Sequence, residues 1–390
     1  MGKKLQLLPF CCALVLIGFG LSGVGSLIPE IASHFRVDYA IASRVFLFHG
    51  LGYFFAILLA GFLGDLLSRL LILRTGLLII ILGLLGISLF GWFGTVVAFF
   101  AIMGVGLGFL DCMLNPVAAS IFVHNPGTVL NFMHAFFGLG SLSAPRLYAF
   151  LVARGGTWQS FYLVVFGFAV LVLLLFFLPL LPRKEESSVS FGRIFSLFRE
   201  PVFWLMGFTM IFYAGGVSTL NGWLVAYLKE KGIALSQAAS FLSFFWTGLF
   251  TVRLLLSFLS ERWGYLNMVR LNSIAGALAL LVVLTISPSF PLTPVLLCGA
   301  GFALSTIIPT TLAYAVSTYP ETSSMASGWL LFNNGIGNFL FPWLGGVVAS
   351  WLGLRFTMLF VPVSVLLMLL FQQLLFVKSK AVFEEGVSSG

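Results

Sequence analysis

Asp111 is the residue whose type and position ask most for a chemical explanation. It stands in Gly104-Val-Gly-Leu-Gly108-Phe-Leu-Asp111-Cys-Met-Leu-Asn115-Pro116, inside a long apolar run. About fourteen residues into a helix that rises ~1.5 Å per residue, it reaches the middle of a membrane. An ionised carboxylate at that depth costs several kcal/mol, and an acid retained there is a candidate proton relay. A structural carboxylate neutralised by arginine is the competing reading. Arg146, deep in the following apolar run, is the expected partner. Alternatively its planar fork meets an anionic substrate. His134 can relay protons beside Asp111 or serve as a neutral helix-to-helix hydrogen-bonding group.

A second set of residues suits a polar solute. Asn115, Asn131, Asn221, Asn333, Asn334 and Asn338 bring planar amides, and Trp223 and Trp246 bring aromatic faces. Sugars need both, because their hydroxyls hydrogen-bond and their C–H surfaces stack. Asparagine is also common glue between membrane helices. A third set falls at helix ends. Gly61-Phe-Leu-Gly-Asp65-Leu-Leu-Ser-Arg69 has its counterpart in Ser257-Phe-Leu-Ser-Glu261-Arg262-Trp-Gly264. A carboxylate near a helix N-terminus with an arginine close by makes a switchable contact. Asp65, Arg69, Glu261 and Arg262 are therefore the expected gating residues.

The surroundings must be lipid. Sixty per cent of residues are hydrophobic and 8% are charged, against roughly 25% charged in a soluble globule. In lipid every backbone group must be bonded internally, so long non-alternating apolar runs become helices. Twelve spans follow, near 8–31, 41–64, 70–91, 96–123, 129–152, 158–181, 202–228, 237–260, 267–287, 292–318, 323–350 and 354–377.

The chain also repeats. Gly20, Ser22, Phe48, Gly52, Phe54, Leu58 and Phe62 recur 196 residues later as Gly216, Ser218, Phe244, Gly248, Phe250, Leu254 and Phe258. Gly138, Gly140 and Pro145 recur at an offset of 197 as Gly335, Gly337 and Pro342. The expected domains are a six-helix bundle over 1–181, a polar cytoplasmic linker over 182–201 and a second bundle over 202–390. Repeated helical halves with a site between them describe a secondary transporter.

With the N-terminus inside, twelve basic residues fall on the cytoplasmic side and six outside, so both termini are expected in the cytoplasm. The net charge of +8 reflects this loop bias rather than nucleic-acid binding. Cys11, Cys12, Cys112 and Cys298 lie in apolar runs without metal-type spacing. No cofactor, metal or catalytic set is expected, and no phosphate-cradling loop for ATP is present in the sequence. An ion gradient is the expected energy source. The first span lacks a small-residue cleavage site and is expected to remain.

The Asp65 loop resembles the signature loop of the major facilitator superfamily, with Leu66 and Ser68 in place of a basic residue and a glycine. Asp111-x-x-x-Asn115-Pro116, Asn131-Phe-Met-His134 with Gly138, Gly140 and Pro145, and Tyr319 to Gly328 running into Gly335, Gly337, Pro342 and Trp343 are similar to the fucose–galactose–glucose:proton symporter branch. So are Tyr213, Trp223 and Tyr227. Gly25 and Val217 stand where that branch carries acids. The resemblance implies twelve transmembrane helices in two pseudo-symmetric bundles, a fold that is all-α. It implies proton-coupled uptake of a sugar or sugar derivative through a bacterial inner membrane, by a monomer. An exporter of amphipathic drugs or lipids, and a transport-dead membrane sensor, are the alternatives.

Overall fold

The computed structural model describes residues 3–64, 67–121, 126–178, 197–255, 265–285, 292–319 and 323–388. The helices are α1 (Lys3–Phe35), α2 (Tyr39–Ala42), α3 (Arg44–Leu63), α4 (Arg69–Leu89), α5 (Phe93–Ile121), α6 (Pro126–Ala153) and α7 (Trp158–Phe177). They continue as α8 (Pro201–Glu230), α9 (Leu235–Leu255), α10 (Tyr265–Thr285), α11 (Thr293–Leu304), α12 (Ile307–Thr318), α13 (Ser323–Leu352) and α14 (Leu354–Ser388). Among the described residues there is no strand, and ten segments are long and apolar enough to cross a membrane. Short α2, capped by the Asp38 carboxylate on Ile41 N at 2.7 Å, leads into α3 as one span.

The span expected as one helix over 292–318 is broken. It divides into α11 and α12 at Ser305 and Thr306. Pro309 has no N–H to give the carbonyl four residues back, and the two hydroxyl residues find other partners. Ser305 Oγ donates to Phe302 O at 2.9 Å, and Thr306 Oγ1 takes a hydrogen bond from Asn272. Length and hydropathy do not register such a break.

Residues of all sizes pack between the helices, from alanines to Phe10, Phe100 and Trp223, and large apolar residues also cover the outside. Leu71, Leu78 and Leu82 on α4, Leu171 and Leu174 on α7, Leu271 and Leu278 on α10, and Leu359, Leu366 and Leu370 on α14 are all exposed. Contiguous apolar stripes of this extent are untenable in water and normal against lipid tails. Inside the first bundle α3 and α4 lie against α5, and α1 against α6. In the second α8 lies against α13 and α14, and α9 against α11. The bundles meet where α1 faces α8, α2 and α3 face α13, and α6 faces α9.

Candidate transport site

The acid finds a partner that sequence alone does not name. On α5, Gly104 and Gly108 remove the side chains that would hold α3 away. A methyl group at Gly104 would lie 2.0 Å from His49 O, and one at Gly108 2.5 Å from Tyr53 O. That approach brings the Tyr53 hydroxyl to Asp111 Oδ2, donating at 2.5 Å. Asp111 is half-buried. Beside it, the Cys112 thiol faces Ile57 O at 3.8 Å. His49 lies one helical turn before Tyr53 on α3, is buried, and its Nε2 has no hydrogen-bond partner among the described residues. A histidine and a tyrosine four apart in an otherwise apolar span were the signal that could have drawn attention to both.

One turn further along α5, Asn115 Oδ1 lies 3.0 Å from His134 Nε2 on α6. Pro116 follows directly, so the Cys112 carbonyl lacks its usual helical donor. Asn131 stands on α6 within a turn of His134; its side chain lies outside the described residues.

The expected pairing of Arg146 with Asp111 is corrected. Arg146 is exposed on α6, and its guanidinium lies over the Phe244 ring of α9, 5.8 Å from the centroid. The reason is rotational. Its helix turns Met133, Ala144 and Tyr148 into the core, and Arg146 projects from the exposed side.

In the second bundle, two amide clusters form. Trp246 Nε1 of α9 donates to Asn221 Oδ1 of α8 at 3.0 Å, and Asn221 Nδ2 reaches across to Leu21 O of α1 at 3.4 Å. Asn338 Nδ2 donates to Asn334 Oδ1 at 2.9 Å on α13, and the Ser218 hydroxyl of α8 donates to Asn338 Oδ1. Asn334 is half-buried and Asn338 exposed. Trp223 and Asn333 are used differently. Trp223 is 0% exposed, donates to Pro342 O at 2.9 Å and meets the rings of Tyr39 and Phe46. Asn333 is buried and donates to Trp329 O at 2.8 Å.

Of the expected gating residues, Arg69 begins α4, while Asp65, Glu261 and Arg262 lie outside the described residues. A different set joins the bundles at the far ends of α1 and α8. Lys229 Nζ pairs with Glu30 Oε1 at 2.6 Å. Nearby, Ala40 N donates to Ser350 Oγ at 2.6 Å. Closer to mid-depth, a methyl group at Gly25 would lie 2.2 Å from Asn221 O. A cavity of about 500 Å³ sits on α10 beside Asn267, Arg270, Leu271 and Ile274, away from all of these groups.

Known proteins resemble this chain in sequence or in fold. The chain is 25% identical over 402 residues to Bypass of stop codon protein 6 of Saccharomyces cerevisiae, covering 90% of this chain and 78% of that protein. Its structure resembles the nucleoside transporter NupG, with a TM-score of 0.79 at 15% identity over 95% of this chain and 100% of that one. It also resembles the E. coli fucose:proton symporter FucP, with a TM-score of 0.66 at 18% identity over 95% of this chain and 98% of that one. The family model described as Major Facilitator Superfamily matches residues 10–321. The all-helical fold with long apolar spans and the family match have one explanation: the chain belongs to the Major Facilitator Superfamily and is a membrane transporter.

Proposed function

We propose that this transporter carries a small polar solute, a sugar or sugar derivative, together with a proton by alternating access. The observation that carries the reading is the Tyr53–Asp111 hydrogen bond. An acid held at mid-depth by a cation would stay ionised as part of an ion pair. Asp111 is held by a neutral hydroxyl. Both forms of the carboxyl keep that bond, since each retains an acceptor oxygen. Proton gain and loss therefore leave its neighbour satisfied.

The solute would lie between that acid and the amides of the second bundle. Asn221 with Trp246 offers a planar amide beside an indole, and Asn334 with Asn338 offers a second amide pair. Asn115 with His134 would join the acid side. Under this reading Trp223 and Asn333, 0% and 4% exposed, support the wall, and Asn221 and Trp246, also buried and bonded to each other, would meet the solute only as the bundles move. The charge bias of the loops supports cytoplasmic termini, and on that orientation the Glu30–Lys229 end would be the outer one. Contacts between the bundles there describe a conformation closed to the outside. We divide the chain at the polar stretch 182–201, with one bundle on each side. The N- and C-terminal bundles then rock about the solute, and Asp65, Arg69, Glu261 and Arg262 would govern the inner face.

The test uses purified protein in sealed vesicles loaded with a pH-sensitive dye. Neutral sugars, nucleosides, sugar acids and amphipathic cations are added outside at equal pH. Proton entry that begins on adding one of the neutral polar solutes, and saturates with its concentration, is the expected result. Solute entry with no accompanying proton movement would overturn the coupling. Proton movement with amphipathic cations only, in the opposite sense, would overturn the direction and the solute class together.

A further inference from the structure

The Arg146 side chain carries an obligation that the transport reading leaves unmet. It has five N–H donors and a permanent charge. It stands seven residues before Ala153, the end of α6, so its backbone is about 10 Å inside that end. The Cα–Cβ bond of a helical residue leans toward the helix N-terminus. For Arg146 that direction leads away from the near end and deeper. Phe244, over which the guanidinium rests, lies nine residues into α9, about 14 Å from the neighbouring end of that helix. The cation is thus held well below the surface, and its described contact there is an aromatic face.

Its surroundings on that side are apolar and open. Phe132 is 48% exposed, Leu139 39% and Phe150 51%, and all three share with Arg146 one stripe of α6. The stripe is not the inside of a cleft between the bundles. It continues through Phe150 toward the end where α1 meets α8 and α2 meets α13, which is closed. The opposite face of α6, with Gly140 and Ser141, is the one buried against α1. The stripe therefore faces lipid. Along the adjoining edge of α9, the Ser240 and Thr247 hydroxyls donate to Ser236 O and Ser243 O of their own helix. These hydroxyls carry no charge that could neutralise a cation.

A guanidinium in hydrocarbon needs an anion. Anything reaching it along Phe132, Leu139 and Phe150 must have an apolar part as well. We propose that the membrane-facing seam between α6 and α9 binds an anionic lipid, its charged group forked onto Arg146 and its chain lying along the exposed stripe of α6. The site is separate from the Asp111 and Asn221 groups and does not rest on proton coupling.

The test uses the full chain purified in an uncharged detergent. Three probes are titrated: oleate, oleamide with the same chain and no charge, and inorganic phosphate with charge and no chain. Thermal unfolding is followed, since a ligand of the folded state raises its midpoint. The wild type is expected to be stabilised saturably by oleate and by neither of the others. Arg146→Gln is expected to need about tenfold more oleate, the loss of one charge-assisted contact. Arg146→Lys keeps the charge without the fork and is expected to need a few-fold more, which serves if the glutamine variant does not fold. Equal stabilisation of wild type by oleamide would overturn the proposal in favour of a merely apolar seam. Competition by phosphate would overturn it in favour of a soluble anion. Unchanged oleate dependence in both variants would remove Arg146 from the site.

Discussion

The helix pair α3–α5 and its repeat α9–α11 have the same backbone contact and opposite chemistry. In the first, a methyl group at Gly52 would lie 2.3 Å from Ala101 O, and one at Gly104 2.0 Å from His49 O. In the second, one at Gly248 would lie 1.9 Å from Cys298 O, and one at Gly301 1.9 Å from Phe245 O. These positions correspond through the same offsets of 196 and 197 that relate the two halves of the sequence. The side chains do not correspond. His49, Tyr53 and Asp111 are matched by Phe245, Leu249 and Ile308. Conversely, Gly25 and Gly50 of the first half are matched by Asn221 and Trp246 of the second. Close glycine contacts set the helix separation without reference to what the rest of each helix carries. One copy was therefore free to hold a titratable pair and the other an amide and indole, while the fold stayed symmetric.

The largest effect should fall on the shared contact. Gly104→Val and Gly301→Val each force a branched side chain against a backbone carbonyl, and overpacking of this kind costs about 1–3 kcal/mol or more. Both variants should lose most of the monodisperse folded protein on size exclusion. If one half tolerates the change and the other does not, the two contacts are not equivalent.

The next effect divides the halves. Asp111→Asn should abolish accumulation driven by a pH gradient, because an amide does not titrate, while solute exchange at equal pH continues. Ile308→Asn, at the matching position, should leave any gradient dependence in place. Wild-type accumulation in Asp111→Asn would remove the acid from coupling.

Tyr53→Phe deletes the donor to Asp111, and a hydrogen bond to a charged group is worth about 1.5–3 kcal/mol. Its unfolding midpoint should fall by several degrees, whereas Tyr162→Phe, which removes a buried hydroxyl with no hydrogen-bond partner among the described residues, should move the midpoint far less. Equal midpoints for the two would mean that the Tyr53 bond contributes nothing to the folded state.

Asn221→Ala and Trp246→Phe should each weaken binding of a neutral solute about tenfold, the scale of one lost hydrogen bond. Because the two side chains bond each other, the double variant should be less than additive. Strict additivity, measured by isothermal titration, would count against a shared site.

The smallest effect belongs to the latch between the bundles. Glu30 and Lys229 are 37% and 32% exposed, and pairs this accessible are worth about 0.2–1 kcal/mol. Glu30→Gln should raise outward accessibility of engineered cysteines at most a few-fold, and added salt should mimic it in the wild type. A large, salt-independent change would mean that the end is held by something other than charge.

Much of the fold was legible in the sequence. The eleventh span was expected over 323–350, and α13 runs Ser323–Leu352; the fourth was expected over 96–123, and α5 runs Phe93–Ile121. Lipid makes such reading reliable, since an apolar run of sufficient length has no folded alternative to a helix. The break at Ser305 escaped because hydropathy averages over it. Asp111 stood out as costly, and His134 and Asn115 as polar near it. Their mutual contact, and Tyr53 as the acid's partner, did not stand out.

By itself the sequence determined the class of solvent, the number of spans, the repeat and the residues too polar for their depth. All of these follow from local runs of residues and from the offset between two copies. Tertiary structure alone decided which polar groups meet. Arg146 and Tyr53 both belong to spans that can reach Asp111, and composition does not choose between them. The rotation of each helix about its axis does. Glycine contacts turn Tyr53 inward to the acid on α5, while the buried face of α6 turns Arg146 out toward Phe244. A rotation of about 100° separates neighbouring residues on a helix, so a small change in which face is buried exchanges one partner for another.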